Sequence, residues 1–394
     1  MDTLLLLLYK SCNQYFYCND YPLFLININL TSFTFTDYMH KSFSIILFPF
    51  SLIYGLILSI RNKLYDWNIF KSISFSTPII SVGNLSLGGT GKTPHIEYLI
   101  NLLSPNLKIA TLSRGYKRKT KGFLLSNENS TIEDIGDEPL QYRLKYKDII
   151  VAVDEKRVNG IKEIKRIHPE TETILLDDAY QHRSVKPGIN ILITEFNKLY
   201  CNDYVIPSGR LRELPAGSKR ADIIIVSKSL KKLSNSERNQ IIKALSPDSS
   251  QSVYFSFIEY GKIKAFTSRA KETVCNESHK SDLLLLTGIA KPAPLVEKLT
   301  QDFNSIEHIK YSDHHSFTKL DITNIKDTYQ NIESNNKIII TTEKDIMRLS
   351  LPSILKQIQD IPIFYIPIEI CFHGDDKKEF DQKILDYVAT NSRN

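Results

Sequence analysis

Cysteine is scarce in this chain, which has 5 cysteines scattered over 394 residues. They show no spacing typical of metal ligands, so the sequence excludes a metal centre built on cysteine pairs. An odd number at scattered positions also gives no disulfide framework of the kind found in small secreted proteins. We therefore expect reduced thiols in a protein whose main body lies in the cytoplasm.

The sequence also lacks low-complexity tracts and internal repeats, and it has little excess charge of either sign. It contains 50 Lys and Arg against 44 Asp and Glu, a net charge of +6. Duplex nucleic acid usually requires a more concentrated basic face, so we expect no nucleic-acid partner. A mild positive excess fits an anionic substrate or a membrane surface better. The composition is that of a globular protein, long enough for two domains.

Residues 42–60 form an uncharged and mostly apolar stretch of 19 residues. As a helix it would measure about 28 Å, close to the roughly 30 Å of a bilayer core. Arg61 and Lys63 place positive charge on the side where the rest of the chain lies. Pro49 and Gly55 interrupt the stretch, so we expect a peripheral or monotopic anchor or a full span, with a buried core helix as the alternative. No small-residue cleavage site follows, which argues against a signal peptide.

The first 38 residues carry a short apolar burst and no clear periodicity. Met39 stands just before the apolar stretch and is a candidate for the natural start. We therefore interpret residues 1–41 as an extension of doubtful status and residues 42–62 as the hydrophobic membrane anchor.

A glycine-rich segment between a predicted strand and a predicted helix is the strongest motif in the chain. Its members are Ser86, Leu87, Gly88, Gly89, Thr90, Gly91, Lys92 and Thr93. Backbone N–H groups of such a loop wrap a polyphosphate, while Lys92 can reach the outer phosphates and the Thr93 hydroxyl can ligate Mg²⁺. Ser86 replaces the usual first glycine, but three glycines remain where the backbone must approach the phosphates. The segment predicts a site for ATP and Mg²⁺.

Short β-branched runs recur downstream between helix-like stretches, which is typical of a parallel sheet covered on both faces. The first set comprises 107–112, 148–153, 173–176, 189–194 and 222–227. The second set, after a polar stretch, comprises 252–258, 283–287, 337–342 and 362–368. We predict an α/β fold with a P-loop NTPase-type parallel sheet, an N-terminal membrane-anchoring helix and a second, smaller α/β domain. The P-loop domain would cover 63–250, and a C-terminal domain that closes the cleft would cover 251–394.

Two pairs of adjacent carboxylates stand at the ends of predicted elements. Asp177 and Asp178 follow an apolar strand, as in a Walker B element that holds the Mg²⁺ shell, although such a pair alone more often forms a turn or a cap. Asp137 and Glu138 precede Pro139, which favours a helix start. From the local sequence, Asp137 is equally a helix cap or the general base that accepts a hydroxyl proton during attack on a γ-phosphate.

Histidines and arginines supply the remaining candidates. His314 and His315 follow Asp313, and an imidazole there could pair with a carboxylate across a cleft or bind a metal, for which too few partners lie nearby. His182 follows shortly after Asp177 and Asp178 in the chain. Arginines in two basic segments suit bidentate capture of an anionic substrate, the alternative being solvated surface charge. These arginines are Arg114, Arg210 and Arg212. Residues 341–345 could line the nucleotide or the cleft, or cap a helix.

In combination these motifs resemble the tetraacyldisaccharide 4'-kinases, the lipid A 4'-kinase family. The similarity runs from about Phe48 to Asp345, through Gly-Gly-Thr-Gly-Lys-Thr-Pro, Ser-Arg-Gly-Tyr, Gly-Asp-Glu-Pro, Asp-Asp-x-x-Gln-His-Arg, Pro-x-Gly-x-Leu-Arg-Glu, Asp-His-His and Thr-Glu-Lys-Asp. The resemblance implies transfer of the γ-phosphate of ATP to the 4'-hydroxyl of an acylated glucosamine disaccharide 1-phosphate. The reaction would take place at the cytoplasmic face of the inner membrane, where the acyl chains of the substrate remain.

At matching positions, the resemblance implies Asp137 as the catalytic carboxylate and His314 as its partner from the other domain, with His315 as the alternative. Lys92 would hold phosphate. The implied metal-site residues are Thr93, Asp177 and Asp178. The implied substrate-binding residues are Glu138, His182, Arg114, Arg210, Arg212 and His315. Ala179 and Tyr180 depart from the Gly-Phe that is common in the family after the two aspartates.

Two other classes remain open at this stage. A partitioning ATPase uses a similar loop but has a signature Lys before the two glycines, where this chain has Leu87. A membrane-associated GTPase switch would show an Asn/Thr-Lys-x-Asp motif, and Thr342-Glu343-Lys344-Asp345 is off by one residue. Both alternatives predict nucleotide hydrolysis without phosphorylation of a lipid.

Overall fold

The computed structural model describes residues 35–273, 281–334 and 336–391, with side chains described from residue 46 onward. Nearly all of the 1–41 extension falls outside these ranges. The interpretation of that segment, including a start at Met39, therefore stays a prediction.

Helix α1 spans Phe35–Asp66 and contains the predicted anchor. Pro49, which we expected to interrupt the helix, lies within it. From Ile46 to Asp66 the helix is long and apolar enough to cross a membrane. Phe50 and Leu56 are each 61% exposed, and most apolar neighbours on the helix are exposed as well. A core helix would bury these side chains, so that alternative is wrong.

A nine-stranded sheet forms the main body of the protein. Its strands are β1 (Ile79–Gly83), β2 (Ile109–Ser113), β3 (Leu124–Leu125), β4 (Ile150–Val153), β5 (Thr173–Asp177), β6 (Ile189–Glu195), β7 (Ile223–Ser227), β8 (Ser252–Tyr260) and β14 (Ile368–Phe372). Their order is β14-β8-β7-β6-β1-β5-β2-β4-β3. The inner strands are parallel, and the two edge strands, β14 and β3, run antiparallel to their neighbours. The predicted parallel sheet is confirmed.

Helices cover both faces of this sheet, as the continuous apolar strands require. They are α2 (Lys92–Leu103), α3 (Ile132–Ile135), α4 (Asp137–Lys145), α5 (Arg157–Ile167), α6 (Asn235–Leu245) and α12 (Asp376–Asn391). On one face, Ile96 and Leu99 of α2 and Phe380 and Ile384 of α12 belong to one buried cluster with the strands. On the other face, Ile161 of α5 belongs to a second cluster.

A second sheet of five strands follows. Its strands are β9 (Lys264–Ala265), β10 (Asp282–Thr287), β11 (Ser305–Lys310), β12 (Lys337–Thr342) and β13 (Ile363–Ile366), in the order β11-β10-β12-β13-β9. Its helices are α7 (Ser268–Glu272), α8 (Ala293–Thr300), α9 (Lys319–Asn331), α10 (Glu343–Leu349) and α11 (Pro352–Ile358). Ile346 and Met347 of α10 share a buried cluster with Leu140 of α4, so helix α10 joins the second sheet to the first.

The sheets do not divide the chain at the predicted boundary near residue 250. Strand β8 pairs with β7, although we assigned its residues to the second set. The predicted run 362–368 contains β13 of the second sheet and the first residue of β14, which pairs with β8. The chain therefore crosses to the second sheet after β8 and returns at β14. Apolar runs predict strands but not the sheet that each strand joins.

Candidate active site

The glycine-rich loop connects the carboxyl end of β1 to the start of α2, as predicted. Gly88 and Gly91 have φ angles of 102° and 93°, which side chains with a Cβ rarely adopt. A Cβ placed on Gly88 or Gly89 would meet no atom of the described residues within 4 Å, so in this part of the structure the backbone of the loop borders open space. A polyphosphate fits this arrangement, because it can approach the N–H groups at the positive end of α2.

The loop is braced by the Pro-x-Gly-x-Leu-Arg-Glu segment. The backbone N–H of Leu87 donates to the carbonyl of Arg210 at 2.6 Å, and that of Arg212 donates to Leu85 at 2.6 Å. Ser227 at the end of β7 donates its hydroxyl to the carbonyl of Thr90 at 2.7 Å. The two predicted motifs thus form one rigid unit.

Asp178 lies directly beside the loop lysine. The Lys92 ammonium is 3.5 Å from Asp178 Oδ1, and Nη1 of Arg212 donates to both carboxylate oxygens at 2.9 and 3.0 Å. Burial would raise the pKa of Asp178, but the charges of Lys92 and Arg212 outweigh it and the pKa is lowered. Asp178 is therefore an anion that orients two cations toward the phosphate loop.

Asp177 is the more suitable of the two aspartates for a metal ion. It is buried at the end of β5, and Oδ2 accepts a hydrogen bond from the Tyr142 hydroxyl at 3.0 Å. Burial, with the charges of Glu138 and Asp178, raises its pKa to about 6. A nearby cation would relieve this destabilised charge. Carboxylate and hydroxyl oxygens are the ligands that Mg²⁺ prefers, so Asp177 and Thr93 fit such an ion.

Asp137 begins helix α4 and receives three hydrogen bonds on one oxygen. His314 Nδ1 lies 2.9 Å from Oδ2, and Nε and Nη2 of Arg348 donate to the same atom at 3.1 and 2.8 Å. Burial acts to raise the pKa of Asp137, but these bonds and the Arg348 charge lower it overall. The carboxylate is therefore ionised, and Nδ1 of His314 carries the hydrogen that it donates.

The structure brings His314, and not His315, to Asp137. His315 Nε2 is 3.0 Å from Asp321 Oδ2 at the start of α9, and its ring stacks on Tyr311. His314 has a φ angle of 57°, which turns its imidazole toward the first sheet at a cost in backbone strain. Strain of this kind is common at functional sites.

Arg348 is a site residue that the sequence analysis missed. It is 3% exposed, and it follows the Thr-Glu-Lys-Asp motif, for which we predicted only that it lines the nucleotide or the cleft or caps a helix. An arginine three residues after Asp345, at helical spacing, is the one signal that the sequence carried.

The remaining predicted residues lie around this centre. Glu138 is close enough to Asp177 to raise its pKa. Burial, with the charges of Arg157 and Arg114, lowers the pKa of His182 to about 4. Arg114 is exposed at the end of β2. Nε of Arg210 donates to Asp203 at 2.9 Å, so its guanidinium group stabilises its own loop and is not directed to an open cleft.

The fold and the site define a P-loop nucleotide-binding protein with a carboxylate–imidazole pair that joins its two sheets. Comparison with known proteins then identifies the family. The sequence profile of the tetraacyldisaccharide-1-P 4'-kinases matches residues 43–389, so the chain belongs to that family.

Curated relatives support this assignment. The chain is 47% identical over 350 residues to the tetraacyldisaccharide 4'-kinase of Flavobacterium psychrophilum, covering 88% of this chain and 98% of the relative. It is 44% identical over 351 residues to that of Phocaeicola vulgatus, covering 88% and 96%. A crystal structure described as the "apo" form of LpxK from Aquifex aeolicus in complex with ATP has the same fold, with a TM-score of 0.67, 24% identity and coverage of 88% and 99%.

Proposed function

We propose that this protein transfers the γ-phosphate of ATP to the 4'-hydroxyl of a tetraacyldisaccharide 1-phosphate, which yields the 1,4'-bisphosphate. The observation that carries the proposal is the Asp137–His314 pair, which joins the two sheets. The neighbouring Glu138 is close enough to Asp177 to raise its pKa, which links the pair to the phosphate side of the site. In phosphoryl transfer to an alcohol, a carboxylate held in this way accepts the proton of the attacking hydroxyl. The named relatives act on the same substrate class.

The phosphate side of the reaction belongs to the loop and to β5. Lys92 would bind the outer phosphates, and Asp178 keeps its ammonium in place. Thr93 and Asp177 would hold Mg²⁺, which neutralises phosphate charge when bound. Arg212 donates a hydrogen bond to Asp178 and supplies a further positive charge on the phosphate side of the site.

Asp137 and His314 act on the acceptor. In the described structure the hydrogen bonds to Asp137 fall on Oδ2, which leaves Oδ1 to accept the hydrogen of the 4'-hydroxyl. His314 holds the carboxylate in position by donating a hydrogen bond from Nδ1 to Oδ2, and the proton of the hydroxyl stays on Asp137. Because phosphoryl transfer depends largely on positioning and charge, this fixed carboxylate would orient the attacking oxygen.

The anchor helix is tied directly to the edge of this site. Ser51 donates to Ser208 at 2.9 Å, Asn62 donates to Glu213 at 3.0 Å, and Arg61 donates to the carbonyl of Gln181 at 3.2 Å. These partners belong to the two segments that carry Arg212 and His182. We propose that α1 sits in the cytoplasmic leaflet of the inner membrane, as a peripheral or monotopic anchor, and presents the site to a lipid headgroup.

The second sheet, with α10, would close the cleft over the nucleotide, because it supplies His314 and Arg348. We therefore propose that the protein is divided by function into two lobes. One lobe binds ATP, and the other completes the acceptor side.

Transfer of radiolabel from γ-labelled ATP to a tetraacyldisaccharide 1-phosphate in detergent micelles tests the proposed function. The intact protein should label the lipid, and Lys92→Ala should not. Release of free phosphate without labelled lipid would instead support the ATPase or GTPase switch.

A further inference from the structure

Arg348 connects the acceptor site to the second sheet through its whole guanidinium group. Nε and Nη2 donate to Asp137 Oδ2, while Nη1 donates to Asp345 Oδ1 at 3.0 Å and to the carbonyl of Gly288 at 3.3 Å. All three nitrogens are therefore engaged. Arg348 is only 3% exposed, so its planar guanidinium group is held in this geometry, which a flexible surface side chain would not keep.

The same contacts also reach His314. Gly288 donates its N–H to Asp345 at 3.0 Å, and its carbonyl accepts the backbone N–H of His314 at 3.2 Å. A Cβ on Gly288 would lie 2.8 Å from Asp345 Oδ1, so a larger residue would push this cluster apart. Asp345 and Arg348 thus fix the backbone turn that carries the imidazole.

We propose that Arg348 is a positioning residue that sets the geometry of Asp137 and His314 relative to each other. It holds Asp137 directly, and it holds His314 both through Gly288 and through a direct contact, with Nη2 3.2 Å from Nδ1 of the ring. The inference rests on the proposed function, since it assigns Arg348 an effect on catalysis only through Asp137.

Charge alone does not replace this arrangement. A lysine at position 348 would keep the positive charge but has one compact ammonium in place of a planar fork. It would reach Asp137 or Asp345, and not both at the same geometry. A methionine would keep the bulk and leave both carboxylates without their cation.

Turnover of labelled lipid by Arg348→Met and Arg348→Lys tests the proposal. We expect kcat to fall by about 10²-fold in the Met variant, as for a misplaced catalytic group, and by about tenfold in the Lys variant. The KM for ATP should stay within about twofold. A raised KM for ATP with unchanged kcat would overturn the proposal.

A double-mutant cycle with Asp137→Asn separates positioning from general stability. Single-turnover transfer with excess enzyme gives the residual rate of each variant. If Arg348 acts through Asp137, Arg348→Met should cost less than about twofold in the Asn background. An equal cost in both backgrounds would contradict the proposal. The Lys variant, with the same cycle, decides the matter if the Met variant does not fold.

Arg238→Met is the matched control. Arg238 forms a bidentate ion pair with Asp376 at 2.8 and 2.6 Å, and Asp376 also accepts the backbone N–H of Phe255. It should lower the melting temperature without a comparable loss of kcat. Near-normal turnover in Asp137→Asn alone would refute the proposed role of Asp137 and leave the contacts of Arg348 as structural, so the two failures are distinguishable.

Discussion

At the scale of single residues, the neighbours of each carboxyl group at the site decide whether its pKa is raised or lowered. Asp137 and Asp178 are both partly buried, and each has a lowered pKa because cations and hydrogen bonds outweigh the effect of burial. Asp177 instead accepts a hydrogen bond from the neutral Tyr142 hydroxyl, and burial raises its pKa. The three carboxylates are therefore suited to different tasks: accepting a proton, orienting lysine and arginine, and binding a metal ion.

Gly136 controls where Asp137 points. Its φ and ψ of 90° and 170° are accessible essentially to glycine alone, and a Cβ there would lie 2.8 Å from the carbonyl oxygen of Tyr116. We predict that Gly136→Ala lowers kcat on the order of 10²-fold, since it displaces Asp137, with little change in ATP affinity. Steady-state kinetics of lipid labelling measures this effect.

Gly122→Ala is the control, because Gly122 also has a positive φ, of 73°, but a Cβ there would meet none of the atoms that the structure describes within 4 Å. It should keep turnover within about threefold. Equal losses in the two variants would show that backbone strain in general, and not the position of Asp137, decides the rate.

His95 predicts how stability depends on pH. Its Nδ1 donates to the carbonyl of Gly91 at 2.7 Å, and its Nε2 accepts from Ser256 at 3.0 Å, so the buried ring is neutral. Burial lowers its pKa from 6.5 to about 4. The unfolded chain therefore takes up the proton first as the pH falls, and stability is lost between pH 6.5 and about 4.

We expect this loss to reach roughly 3 kcal/mol at most. Melting temperatures measured across this pH range should fall less steeply in His95→Gln than in the unchanged protein. His168→Gln, at a partly exposed surface histidine, serves as the control. Parallel curves for His95→Gln and the unchanged protein would contradict the prediction.

At the scale of elements, the strands and the phosphate loop were predictable because their signals are local. An apolar run predicts β1, the glycines that follow predict the loop, and the helix-start signal after them predicts α2. The pairing of β8 and β14 was not predictable, because no local pattern encodes the partner of a strand. Arg348 was missed for the same reason, since it meets Asp137 across 211 residues of sequence.

Helix α1 makes a testable prediction about the membrane. Ile53 and Ile57 lie one turn apart and are 59% and 58% exposed. Replacing both by Asp should reduce sedimentation with anionic vesicles by on the order of tenfold or more, because charge on a lipid-facing surface is costly. Leu320→Asp, at a residue of the second sheet's domain that is 82% exposed, is the control. Unchanged sedimentation of the double variant would contradict the proposed anchor.

At the scale of the whole molecule, the chain leaves the first sheet after β8 and returns at β14. Because of this path, His314 and Arg348 from the part of the chain around the second sheet contact Asp137, which packs with the first sheet. The sequence predicted that Asp137 and a histidine of the Asp-His-His motif would pair, through family resemblance. The contacts of the folded chain favour His314, because the ring of His315 is engaged by Asp321 and Tyr311.

The most direct test of the account is the turnover of Asp137→Ala in the lipid-labelling assay, with ATP affinity measured in parallel. The account predicts a fall in turnover of about 10² or more, as expected for a lost general base, with ATP affinity nearly unchanged. Near-normal turnover would contradict it, because the pair that joins the two sheets would then have no part in phosphoryl transfer.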